Sequence, residues 1–263
     1  MLRAVATSES EPDGYYVLNQ SYVSEAFKSL SHRCELDRAE LIQLEFLYAE
    51  ALDHSEYGIP TLEDALSNDP QLFVQLVAAV YRREDNREDP PEWRIDDSEG
   101  RSHLAKVARK VLQKFTCLPG SSKDGTIDTL LLRRWVEAVR TLGAEVGRTS
   151  MTDHVIGEMF GRTTAGSDGV WPCPPVRDVF DGIASMDMAA GMRIGRYNAR
   201  GAHWRASGGG QERTLSDQYR AWAAVMTYQH PFTANFLNEM AKQYDQEAEF
   251  HDIEGDVRKR IGY

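Results

Sequence analysis

Apolar residues recur every three or four positions along most of this chain, which is the period of an α-helix. In "LDRAELIQLEFLYAEALDH", Leu41, Leu44, Tyr48 and Leu52 form one stripe, widened by Ile42, Phe46 and Ala49, and Asp37 stands where an N-cap belongs. "TLEDAL" opens a second helix, with Thr61 as cap and Asp64 three residues on. "DPQLFVQLVAAVYRR" opens a third, with Asp69 as cap and Pro70 at the first helical position. Leu72, Phe73, Leu76, Val77, Val80 and Tyr81 keep its period. Leu104, Val107, Ala108, Val111, Leu112 and Phe115 mark the clearest helix, ended by "LPGSSKDG". Leu131, Trp135, Val139 and Leu142 mark another. From Ser150 the predicted elements shorten. Val155, Ile156, Met159 and Phe160 share a side, and Val176, Val179, Phe180 and Ile183 begin a helix that loosens at Gly191 and Gly195. Leu215, Tyr219, Trp222 and Met226 form a late stripe, followed by Phe236, Leu237, Met240 and Tyr244 after Pro231.

Strand alternation is confined to "GYYVLNQSYV", residues 14–23. The pattern therefore predicts an all-α fold, an irregular multi-helix bundle of about ten helices, with two lobes of stacked helical hairpins as one arrangement of it. No tetratricopeptide, ankyrin or armadillo signature recurs at a fixed period. The predicted organisation is an N-terminal segment at 1–36, first helical hairpins at 37–83 and a main helical domain at 101–250. "EDNREDPPEWRIDDSEG", residues 84–100, reads as an acidic loop or linker between them, and a charged C-terminal tail occupies 251–263.

Composition narrows the class. Of 263 residues, 41% are hydrophobic and 27% charged, as in ordinary globular domains, and the net charge is −11. That charge argues against a general nucleic-acid coat, which needs Lys and Arg over a whole face, but permits a local basic patch. The N-terminus lacks the apolar core of a signal peptide, and the longest fully apolar run is "LVAAVY". Cys34, Cys117 and Cys173 lie far apart with no CxxC pair, so the reading is a reducing, cytoplasmic compartment without membrane attachment.

The chemistry-bearing residues concentrate in one place. His32, His54, His103, His154, His203, His230 and His251 are scattered without ligand spacing, and no metal or cofactor is implied. Cys173, in "WPCPP", has no base beside it in sequence. "ASGGGQER" lacks the phosphate-loop pattern and reads as a mobile turn. "GRYNARGAHWRASGGGQER", Gly195 to Arg213, differs from the rest: it holds four arginines, a histidine, a tryptophan, a tyrosine and five glycines. Guanidinium groups grip carboxylates and phosphates with two bonds and stack on rings. Arg196, Tyr197, Asn198, Arg200, His203, Trp204, Arg205, Gln211 and Arg213, with Arg177 nearby, are therefore the candidate ligand or partner contacts. Two other readings stand beside this one. The arginines bridge to the chain's own 41 acidic residues, or they clamp phosphate for an acid–base pair drawn from His203 and Glu212.

"DGVWPCPPVRDVFD", "GRYNARGAHWR", "GGGQER" and "YRAWA" together resemble the helical C-terminal region of large, mostly uncharacterised multi-domain bacterial proteins, over roughly residues 37–250. The resemblance implies a sensing or scaffold module that follows an effector module, in bacterial defence or regulation. It carries over no functional residue. The expected function is a non-enzymatic interaction module that binds a partner protein or an anionic ligand through the basic aromatic loop. An enzyme acting on a nucleotide or nucleic acid and a helical oligomerisation scaffold are the alternatives.

Overall fold

Local capping chemistry sets where most helices begin. The computed structural model describes residues 20–33, 36–94, 97–201 and 208–261. Helix α1 spans Gln20–Arg33 and α2 Arg38–Leu47, where Asp37 and Glu40 close a full capping box. Helix α3, Pro60–Asn68, and α4, Pro70–Val80, each start on a proline whose missing N–H costs nothing there. Asp69 caps α4 by accepting from Gln71 and Leu72. Helix α5, Ser98–Lys114, and α6, Thr129–Glu145, are capped by Asp97 and Asp128. Helices α7, Thr149–Gly161, and α8, Pro174–Ile183, precede α9, Met186–Ala199, which Ser185 caps. Helix α10, Gly210–Met226, and α11, Pro231–Ile261, complete the order. Among the described residues there are eleven α-helices, and the only β pairing is an isolated bridge between Ser121 and Ile127. The all-α expectation is met.

Several boundaries differ from the periodic reading. The helix from Asp37 stops at Leu47, and Ala49 and Leu52 are buried from a turn instead. Thr61 does not cap α3. Pro60 takes the first position, and the buried carboxylate of Glu45 accepts from Leu62 N at 2.7 Å. In α6 the buried face is Leu132, Trp135, Val136 and Val139, so Trp135 and Val139 of the predicted stripe are met, while Leu131 is half exposed and Leu132 takes its place. Residues 98–100 already belong to α5, and the charged end after Asp245 continues as α11 to Ile261, with Phe250, Ile253 and Val257 exposed. Of the strand candidate, 20–23 are helical and 14–19 lie outside the described residues.

The chain forms two compact units, Met1–Val155 and Ile156–Tyr263, so the break falls inside α7 and residues 84–94 belong to the first unit. In the first unit α4 packs against α5 and α6, and α2 against α3 and α5. Phe73 sits edge-on to Trp135 at 4.9 Å, and the Trp135 indole N–H donates to Leu66 O.

In the second unit α10 and α11 form a long antiparallel hairpin. Arg213 pairs with Asp252 and Arg220 with Asp245, the two partners stepping seven residues in opposite directions. Helices α7 and α9 meet at glycines. A Cβ added at Gly157 or Gly161 would overlap the α9 backbone at Met188 or Met192, and one at Gly195 would overlap the Glu158 carbonyl. The predicted loosening at Gly191 and Gly195 is therefore reversed, because both are buried within a continuous helix and Gly195 marks a point of closest approach. The true break comes earlier, at Ala184, whose φ of 53° ends α8.

Candidate functional site

In the second unit, Arg177, Arg196, Arg200 and Arg213, four of the ten residues predicted to bind, are engaged by other groups of the same unit. The presumed loop from Gly195 is helical to Ala199, and α10 resumes at Gly210. Arg196 lies over the fully buried Trp171 ring at 4.7 Å from its centroid, and its Nε donates to the Tyr219 hydroxyl at 3.3 Å. One turn on, Arg200 donates to the Tyr244 hydroxyl at 3.0 Å and lies against that ring. Tyr219 and Tyr244 stack on each other at 5.4 Å, nearly parallel. Two arginines of α9 thus reach stacked rings from α10 and α11. Burial, and then the neighbouring Tyr244, push the Tyr219 hydroxyl up to about 12.

The other candidates divide. Arg213 pairs with Asp252, which also accepts from Gly209 N at 2.8 Å and so anchors the start of α10. Gly209 abuts the α11 backbone at Ala248 and Gly208 has a φ of +85°, so these two glycines serve packing and a turn. Arg177 is buried. Its Nε donates to Pro172 O at 2.9 Å, and its Nη2 bonds Asp168 at 2.8 Å and Val170 O at 3.1 Å, clamping the turn that seats Trp171. Tyr197, Asn198 and Gln211 are exposed. His203, Trp204 and Arg205 lie outside the described residues. Glu212 is buried, as is Cys173, whose thiol burial pushes up, away from thiolate character. Among the described residues no group of three or more His, Cys, Asp or Glu side chains comes together to hold a metal ion, and no helix is long and apolar enough to cross a membrane.

A large cleft lies in the first unit, where the sequence marks only an acidic linker. It encloses about 1090 Å³. Helix α4 buries Leu72, Phe73, Leu76 and Val77 in the core, which turns its other face, Gln71, Gln75, Ala78 and Ala79, into one wall. Arg101, Ser102 and Ala105 on the first turns of α5 contribute another. Residues 86–94 supply the rest, including Trp93 on a short 3₁₀ turn, Pro91–Trp93.

Arg148 fixes this arrangement. It is 1% exposed and donates to Tyr81 O at 2.8 Å, to Val146 O at 2.8 Å and to the Asp89 carboxylate at 2.7 Å. Glu84 N bonds Gly147 O at 2.8 Å beside it. The segment is therefore folded back on the end of α4.

The charge in this cleft is the reverse of the protein's average. Arg82, Arg83, Arg87, Arg94, Arg101 and Arg148 line it, against the carboxylates Glu88 and Asp89. Arg83, Arg94 and Arg148 are closely paired. Asp85 takes Arg83 through two bonds of 2.8 and 2.6 Å, Glu88 pairs with Arg94 at 2.7 Å, and Asp89 holds Arg148. Those bonds from Arg83 keep the Asp85 carboxyl well below the usual carboxylate range. Arg87 is 81% exposed and reaches Asp85 only at 3.9 Å, while Arg82 makes no ion pair among the described residues.

The sequence carried one signal for this site: arginines at 82, 83, 87, 94 and 101 around a tryptophan that follows a pair of prolines. Eight carboxylates against two arginines across 84–100 masked it.

No family model matches this chain, and no match was found among curated proteins or among solved structures, so the resemblance read from its motifs rests on those motifs alone.

Proposed function

We propose that this protein is a helical binding module that captures a compact anionic ligand in the cleft of its first unit. The observation that carries the reading is the lining: six arginines and two carboxylates around about 1090 Å³, in a chain whose net charge is −11. Guanidinium groups in a concave, partly desolvated setting bind phosphate or carboxylate with two parallel bonds, and low-dielectric walls concentrate their field. Arg148, Asp89 and the bonds from Arg83 to Asp85 preorganise the lining, which lowers the ordering cost of binding. The arginines of α9 and α10 support the module differently, as ties among helices. A setting in bacterial defence or regulation rests on the resemblance given above.

The test uses tripolyphosphate as probe. Calorimetric titration is expected to show saturable binding that weakens as salt rises, because contacts to phosphate are screened. Arg82→Glu with Arg87→Glu should weaken it at least about tenfold, roughly 1.4 kcal/mol, with the thermal midpoint unchanged. Absence of binding by the folded, unaltered chain would remove this reading.

A further inference from the structure

Resting on that reading, we infer that the ligand of the cleft is a nucleoside di- or triphosphate, its base against Trp93 and its phosphates on Arg82 and Arg87. Four observations converge on this class. The first is size. A cleft of about 1090 Å³ far exceeds an inorganic phosphate and lies just above the range of roughly 300–1,000 Å³ typical of small-ligand sites.

The second is the pairing of a ring with guanidinium groups. Trp93 is half-buried on a turn stiffened by Pro90 and Pro91, so its ring is presented at little entropic cost. An aromatic face stacks on any base, and arginines lining the same cleft take charge. The third is the neutral polar lining. Gln71, Gln75, Ser98 and Ser102 supply donors and acceptors of the kind that read base edges and sugar hydroxyls. The Glu99 and Gly100 N–H groups at the start of α5 are already used by Asp97, so phosphate recognition falls mainly to the arginines.

The fourth is the charge outside the cleft. Over a screening length of about 8 Å at physiological salt, a short polyphosphate meets a lining in which six arginines outnumber Glu88, Asp89 and the adjoining Asp85. A long nucleic acid leaving the cleft would meet a chain of net charge −11, whose most basic stretch of sequence engages Arg196, Arg200 and Arg213 with Tyr219, Tyr244 and Asp252 of its own. The same contrast disfavours an extended acidic protein.

The experiment titrates ATP, GTP, CTP and UTP, the corresponding nucleosides, tripolyphosphate and a short single-stranded oligonucleotide into the full chain at one fixed ionic strength, with heat and tryptophan fluorescence as readouts. At least one nucleoside triphosphate should bind about tenfold or more tighter than tripolyphosphate, since one stacked base is worth that much, and should quench fluorescence. Trp93→Leu should bring nucleotide affinity down to that of tripolyphosphate and leave tripolyphosphate unchanged. Arg82→Glu with Arg87→Glu should weaken both; these side chains are exposed, and circular dichroism checks that the fold is kept.

Equal affinity for nucleotides and tripolyphosphate, with Trp93→Leu indifferent, overturns the nucleotide assignment while the anion cleft stands. Tighter binding of the oligonucleotide than of every nucleotide overturns it in favour of nucleic acid. Failure of every anion to bind removes both readings together.

Discussion

Arg177 and Arg148 show how much a single side chain decides in this protein. Each is buried, and each spends its donors on backbone carbonyls and one carboxylate. A guanidinium suits this because its donors sit in a fixed planar fork, whereas an ammonium is a point charge on a flexible stem. Arg177→Ala should lower the unfolding free energy by about 3 kcal/mol, because carbonyls at Pro172 and Val170 lose their partner in a buried turn. Arg177→Lys should recover less than half of that. Urea denaturation with the tryptophan signal reads both, and equal stability of Arg177→Ala and the parent chain would show that the clamp contributes nothing. Arg177 appeared from its sequence neighbours to be a binding residue or half of an ion pair. The backbone carbonyls that take most of its bonds carry no sequence signature.

At the scale of elements, the helices themselves are legible and their contacts are not. Asp37, Asp69 and Pro70 announce their helices correctly because capping involves residues within four positions of one another. Glu45 capping α3 joins residues seventeen apart, and no local rule reaches it. The glycines of α7 and α9 carry the same lesson. In sequence, Gly191 and Gly195 weaken a helix, because glycine costs about 1 kcal/mol relative to alanine there. In the fold, Gly195 and Gly157 let two backbones approach too closely for any Cβ. Gly157→Ala and Gly195→Ala should each cost about 3 kcal/mol or more, as overpacking of rigid backbone does. Gly210→Ala, at a helix start with open space around it, should be neutral or slightly stabilising. Thermal melts of the three variants decide the matter, and a Gly157→Ala protein as stable as Gly210→Ala would refute the close approach.

For the molecule as a whole, half-buried Tyr57 in the first unit and buried Tyr219 in the second set an alkaline limit. Burial, and then Glu45, push Tyr57 up to about 12, and Tyr219 is pushed up to the same level. The unfolded chain releases these protons near pH 10. The folded chain holds them, so the contribution is complete below pH 10 and is lost as pH rises from there toward 12. The thermal midpoint should therefore fall across that window. Tyr57→Phe and Tyr219→Phe should each flatten the fall, and their tyrosinate absorbance should be missing from the last part of the titration. An unchanged slope in both variants would place the alkaline transition elsewhere. Net charge acts at this scale too: at −11 it says little about fold, but it makes a basic cleft conspicuous.

Helical class, most helix starts and the apolar faces of α4 and α5 were determined by the sequence alone, because a 3.6-residue period and a cap are properties of neighbours along the chain. The tertiary structure alone decided which arginines are occupied. Arg196 and Arg200 stand in the most basic stretch of the sequence, yet they tie α9 to Tyr219 and Tyr244, twenty-three and forty-four residues away. Arg82 and Arg87 border an acidic stretch, yet they line the cleft, because its carboxylates turn onto Arg83, Arg94 and Arg148. Charge along a sequence adds up residue by residue. Charge at a surface depends on which opposite groups come within about 4 Å, and folding settles that through contacts the local pattern does not encode.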